Sequence, residues 1–152
     1  MLEVVRSRGT CPRARHGAIV VKDNRILATG YNGSPPRLPH CEDVECLIVD
    51  GHCKRTIHAE ANAYLQAANV GVSLEGATLY VTGQPCIDCM KDTLSVGITY
   101  MVIADIEEFD NVTAAEQEFM YDMSLEVGVK YVSRDEHGTV CPCGENSSCE
   151  CG

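Results

Sequence analysis

Short β-branched runs alternate with helix-length stretches along this chain, and that order restricts the fold more than any other feature. His16 to Lys22 and Arg25 to Tyr31 flank Asp23-Asn24, a two-residue turn signal, and read as an antiparallel hairpin. An Ala-rich helix over Ile57 to Ala68, with Ala61, Leu65 and Ala68 at helical spacing, precedes a buried strand over Ala77 to Thr82. Pro85 then opens a helix that Gly97 closes, and Thr99 to Ala104 is the next strand. Thr113 and Glu116 have capping-box spacing. Ala115, Phe119, Met123 and Val127 recur along the helix they start, Gly128 ends it, and Val129 to Ser133 is a last strand. The order β-β-α-β-α-β-α-β predicts an α/β fold with a mixed sheet of about five strands covered by helices. The domain runs over 1–136, and a Cys-rich tail follows over 137–152.

At 152 residues the chain suits one domain with a real core, and no window approaches the roughly 18 apolar residues of a membrane span. Met1 to Arg15 mixes apolar residues with arginines and lacks the apolar run and cleavage site of a signal peptide, so the protein is expected in the cytoplasm without a membrane partner. Its formal charge of −10 opposes a phosphate backbone and disfavours long nucleic acids as partners. A small anionic ligand fits better, because Arg6, Arg8, Arg13 and Arg15 crowd the first 15 positions. Arg6, Arg8, Arg25, Lys54 and Arg55 are the candidate phosphate-binding cations.

Ten cysteines are too few for a disulfide scaffold, and in a reducing compartment clustered cysteines bind metal. His58-Ala59-Glu60 and Pro85-Cys86-Ile87-Asp88-Cys89 each stand at a helix start, where the helix dipole favours thiolates. One imidazole and two thiolates leave the fourth position of a zinc ion open for water, the catalytic rather than the closed pattern. Glu60, two residues from His58, is placed to shuttle protons. His-x-Glu followed by Pro-Cys-x-x-Cys is the signature of zinc nucleobase deaminases.

The segments GAIVV, Gly30-Tyr31-Asn32-Gly33-Ser34-Pro35, HCKRTIHAEANA and EGATLYVTGQPCIDC resemble the deoxycytidylate (dCMP) deaminase family, over about Arg6 to Val132. The resemblance implies a three-layer α/β/α cytidine-deaminase-like fold and hydrolysis of dCMP to dUMP. It also implies a homo-hexamer, activation by dCTP with Mg2+, and inhibition by dTTP. Carried over by position, His58, Cys86 and Cys89 hold catalytic zinc, and Glu60 is the general acid/base. Asn32 contacts the sugar and the Ala59 N–H the base, with Thr82 and Gln84 also at the substrate. Gly30, Tyr31, Asn32 and Gly33 form an effector loop.

Gly33 to Arg55 shows no periodicity and carries three prolines, a length that a compact domain tolerates when something pins it. The family often carries a second, structural zinc in this region. Cys11, Cys41, Cys46 and Cys53 are its expected ligands here, with His52 as a rival to Cys46 or Cys53. The tail cysteines, Cys141, Cys143, Cys149 and Cys151, match no common zinc-ribbon spacing. Two features depart from the family. Gln84 stands where a small residue is usual, and the aromatic that follows the TYMVIA strand in relatives is replaced by Phe109 or Tyr121. Such a pocket would admit a 5-substituted dCMP; deamination of cytidine, guanine or tRNA adenosine, and a non-catalytic zinc module, are the separate alternatives.

Overall fold

The computed structural model describes residues 1–104 and 113–131. Phe109, the end of the last expected strand and the whole 137–152 tail lie outside the described residues. A five-stranded mixed sheet runs through the domain: β1 (Gly17–Lys22), β2 (Arg25–Tyr31), β5 (Thr78–Val81), β6 (Tyr100–Ile103) and β7 (Val129–Tyr131), in the order β2-β1-β5-β6-β7. β1 is antiparallel to both neighbours, whereas β5, β6 and β7 are parallel. Asp23 and Asn24 take φ of 50° and 59°, the left-handed pair that a type I′ hairpin turn needs.

Both faces of the sheet carry helices. Ala18 pairs with Gly30 and shares its face, and a Cβ on Gly30 would collide with the Ala59 carbonyl oxygen and the Ala63 nitrogen of α3 (Ala59–Val70). Gly17 points the opposite way, toward the backbone of Arg6 in α1 (Leu2–Arg6). The thin α1 layer therefore lies across the sheet from α3, giving the three layers. α4 (Ile87–Ser95) and α5 (Ala114–Val127) share α3's side, where Val20, Leu79, Val81, Met90, Met101, Ile103 and Val127 form one core.

α3 buries a different stripe from the one that periodicity suggested, and α5 buries only the second half of its expected stripe. In α3 the buried positions are Ala59, Glu60, Ala63, Tyr64 and Ala67, while Leu65 is 51% exposed. An alanine ridge lets α3 settle onto Gly30, and a leucine ridge would hold it off the sheet. In α5 the buried residues are Met120, Met123 and Val127, and Ala115 and Phe119 face outward. The capping box of α5 forms as expected: the Thr113 N–H donates to the Glu116 carboxylate at 2.9 Å, and Gly128 closes the helix in the left-handed region. α4 begins at Ile87, so Pro85 precedes the cap, Cys86, instead of occupying the first helical position.

The aperiodic insert has structure of its own. It holds α2 (Cys41–Val44) and a hairpin of β3 (Ile48–Val49) with β4 (His52–Cys53), turning through Asp50 and Gly51 with φ of 50° and 78°. Reciprocal backbone hydrogen bonds between Gly33 and Ile57, at 3.2 and 2.8 Å, tie its two ends together. No helix among the described residues is long and apolar enough to cross a membrane.

Candidate active site

His58 and Cys86 occupy the N-cap positions of α3 and α4. An N-cap side chain ordinarily accepts a hydrogen bond from its own helix, but neither of these does. They turn toward each other instead. The His58 Nδ1 lies 3.4 Å from the Cys86 Sγ and 3.5 Å from the Cys89 Sγ, with Cys89 in the first turn of α4. Around a tetrahedral zinc, an imidazole nitrogen and a thiolate sulfur stand about 3.6 Å apart, so the three donors fit that ion without rearrangement.

The electrostatics suit the same group. Its Cys89 neighbour, then His58, holds the Cys86 thiol down at about 4, and Cys86 in turn pushes Cys89 upward. Cys86 is thus the ready thiolate of the pair. Glu60, in the first turn of α3, is 7% exposed, and burial raises its carboxyl above the usual range. That carboxyl faces Cys89 and the His58 ring, and Glu60 lines a cavity of about 350 Å³ together with His58 and Cys86. A proton-holding group beside an open coordination position is what hydrolytic deamination of a base requires.

One layer behind the ligands, the Tyr64 hydroxyl donates to the Thr93 Oγ at 2.6 Å, and Thr93 donates to the Cys89 carbonyl at 2.7 Å. This chain ties α3 to α4 one turn below the three converging donors. Nothing in the sequence motifs pointed to it. Thr93→Val orphans a buried phenol and is expected to cost about 1–3 kcal/mol, whereas Tyr64→Phe removes one bond for about 0.5–1.5 kcal/mol. Urea midpoints of the two variants check this order.

Asn32, Ala59, Thr82 and Gln84 all line the cavity. Two of them also brace its wall. The Asn32 Oδ1 accepts from the His16 N–H and its Nδ2 donates to the Ala14 carbonyl, both at 2.8 Å; the Thr82 Oγ1 accepts from the Gly17 N–H at 3.0 Å. In the expected effector loop, Gly30 is buried under α3, Tyr31 is half-buried and Gly33 is engaged with Ile57. Tyr121 is 64% exposed on α5 and does not reach the cavity. None of Arg6, Arg8, Arg25, Lys54 and Arg55 lines it.

A second group converges beside the first. Cys11 and Cys46 bring their sulfurs to 3.7 Å, Cys41 and Cys53 to 3.6 Å, and all four lie within 4.8 Å of one another. Sulfurs on a tetrahedral zinc are about 3.8 Å apart, so the four cysteines could close around such an ion. Burial drives the Cys41 thiol up to about 12. At Cys53 burial also raises it, but the Arg55 and Thr56 backbone N–H groups and the neighbouring thiols bring it down to about 7. His52 is not among the converging ligands.

Residues 1–105 match the model of the cytidine and deoxycytidylate deaminase zinc-binding region. The chain belongs to this family. It is 50% identical over 98 residues to the ComE operon protein 2 of Bacillus subtilis, covering 64% of this chain and 52% of that protein. The chain thus spans about half the length of that relative. Deoxycytidylate deaminase of Enterobacteria phage T4 is 31% identical over 162 aligned positions, covering 82% of this chain and 83% of the phage protein. Among solved structures, dCMP deaminase of the cyanophage S-TIM5, in complex with dCMP and dUMP, superposes with a TM-score of 0.70 at 29% identity, covering 86% of this chain and 90% of that one.

Proposed function

We propose that this chain is a dCMP deaminase, which hydrolyses dCMP to dUMP and ammonia. One observation carries the reading: a buried carboxyl, Glu60, beside a three-donor centre of His58, Cys86 and Cys89 that opens onto a cavity of nucleotide size. Support comes from relatives named deoxycytidylate deaminase and from the likeness to a deaminase solved with dCMP and dUMP. His58, Cys86 and Cys89 would hold a zinc ion, which would supply an activated water for attack on the base. Glu60 moves the protons: its carboxyl gives one to N3 and later one to the exocyclic nitrogen, which departs as ammonia. Both come from the consumed water, so Glu60 ends the cycle as it began. The Ala59 N–H orients the base, Asn32 the sugar, and Gln84 and Thr82 close the wall.

The reading includes a structural zinc on Cys11, Cys41, Cys46 and Cys53, supported by their tetrahedral spacing. It also includes a homo-hexamer activated by Mg2+-bound dCTP and inhibited by dTTP, with contacts from Tyr31, Asn32 and Gly33. This regulatory half is supported by the family resemblance of the Gly30-Tyr31-Asn32-Gly33 segment. The test is to rank kcat/KM for dCMP, CMP, deoxycytidine and dCTP, each with and without added dCTP and Mg2+. Preference for dCMP, with activation by dCTP, is expected. A higher kcat/KM for deoxycytidine or CMP would overturn the substrate assignment, and indifference to dCTP would remove the regulation.

A further inference from the structure

Glu60 and Tyr64 stand four residues apart on α3, and Cys89 and Thr93 four apart on α4, so each pair lies one above the other on its helix. The upper members meet at the converging donors, where the Glu60 carboxyl faces Cys89. The lower members meet in the buried 2.6 Å bond between the Tyr64 hydroxyl and the Thr93 Oγ1. Thr93 commits its own proton to the Cys89 carbonyl at 2.7 Å, so Tyr64 is the donor of that pair. The bonds run in one direction, from the phenol on α3 to the backbone of Cys89.

A threonine hydroxyl bonded to the carbonyl four residues back is common inside helices and has only local reach. The Tyr64 bond differs because it crosses between helices. Below the converging donors it is the one side-chain hydrogen bond between α3 and α4 among the described residues. α3 is itself fixed to the sheet: Gly30 admits it closely, and the Asn62 Nδ2 donates to the Tyr31 carbonyl at 2.8 Å. On α4, Lys91 and Ser95 bond only within the helix, to Asp88 and to the Lys91 carbonyl. The place of Cys89 relative to Glu60 is therefore referred to the sheet through Tyr64.

We infer that Tyr64 and Thr93 are positioning residues for the reaction: their bond fixes the spacing of α3 and α4, and so holds the Glu60 carboxyl in register with the centre formed by His58, Cys86 and Cys89. The kinetic part rests on the dCMP reading above, and the inference goes beyond it by giving a role in the chemistry to two buried residues outside the deaminase signature. A group that passes protons to a reacting base loses rate steeply when its distance drifts, because the transfer needs hydrogen-bond reach. Substrate contacts lie on the other side of Glu60, along the cavity wall, and Tyr64 and Thr93 are not among the cavity's lining residues. Loss of the bond should therefore act on kcat and on metal affinity, and hardly on KM.

The experiment compares wild type, Tyr64→Phe, Thr93→Val, Thr93→Ser and a packing control, Val127→Ala, which opens a fully buried site on α5. Each is measured for kcat and KM with dCMP, for zinc affinity by competition with a chromophoric chelator, and for the visible spectrum of the cobalt-substituted protein. Tyr64→Phe should lower kcat about 10-fold, weaken zinc about 10-fold and shift the cobalt bands, with KM within about twofold of wild type. Thr93→Val should lower kcat about 10- to 100-fold, and Thr93→Ser, which restores the hydroxyl, should stay within about twofold of wild type. Val127→Ala should lower the urea midpoint and leave kcat and the cobalt bands unmoved. The inference is overturned if Tyr64→Phe lowers only the urea midpoint and keeps the wild-type kcat, or if Thr93→Ser falls as far as Thr93→Val. Should Thr93→Val fail to fold, Tyr64→Phe decides alone. Failure of wild type to turn over dCMP would strike the proposed reaction instead; zinc affinity and cobalt bands in Tyr64→Phe then decide the positioning role, and wild-type values of both would overturn it.

Discussion

Glu60→Gln is expected to retain the fold and both metal sites and to lose about 10²- to 10⁴-fold in kcat. The side chains are nearly isosteric, and position 60 is buried without being a metal ligand, so packing and ligation change little. What disappears is the group that can hold and release a proton beside the reacting base. A glutamine amide offers hydrogen bonds but no transferable proton near neutral pH. Turnover by ammonia release, with zinc content measured on the same sample, checks both halves. Retained kcat would remove Glu60 from proton transfer; loss of zinc along with activity would make it a structural residue.

The second large effect is expected at the four-cysteine cluster. Wild type should carry two zinc ions per chain, and Cys41→Ser should carry one. Cys41 is 3% exposed and its sulfur lies 3.6 Å from that of Cys53, so the substitution breaks a closed site. Closed zinc sites contribute about 10–16 kcal/mol of apparent binding free energy to the folded state of small fingers. Losing even about 4 kcal/mol of this would lower the melting temperature of a domain this size by about 8–16 °C. The insert from Gly33 to Arg55 should lose protection from proteolysis first, because among the described residues only a four-residue helix and a hairpin of two two-residue strands lie within it. A wild-type ratio of one zinc per chain, or an unchanged melting temperature in Cys41→Ser, would contradict this role.

The deaminase signature could be read from sequence because its residues sit where local rules place them. The two caps, His58 and Cys86, stand where a strand or loop ends and a helix begins, and such boundaries are marked by residue type. The hairpin at Asp23-Asn24 and the capping box at Thr113 and Glu116 are legible for the same reason: each is set by a few adjacent residues. Burial was harder. In α3 alanines stand on several faces, and the choice of Ala59, Ala63 and Ala67 over Leu65 depends on Gly30 in a strand thirty residues earlier. In α5 the shift from Phe119 to Met120 is set by what α4 presents to it.

The insert resisted periodicity because its shape is dictated by four sulfurs rather than by a repeating apolar face. Arg13 was hidden among four N-terminal arginines of identical composition. Only the fold shows that the Arg13 guanidinium, fixed to the Gly51 carbonyl, borders the cavity, whereas Arg6 donates to the Arg15 carbonyl. No local signal in the sequence separates the two. The Tyr64–Thr93–Cys89 chain is likewise invisible before α3 and α4 are docked.

The most direct test of the account is product analysis of dCMP incubated with purified, zinc-loaded protein, following dUMP by chromatography and ammonia by a coupled assay. One dUMP and one ammonia per dCMP consumed, with both formed about 10²- to 10⁴-fold more slowly in Glu60→Gln, is the predicted result. Unchanged dCMP after prolonged incubation of protein with its catalytic zinc in place would contradict it.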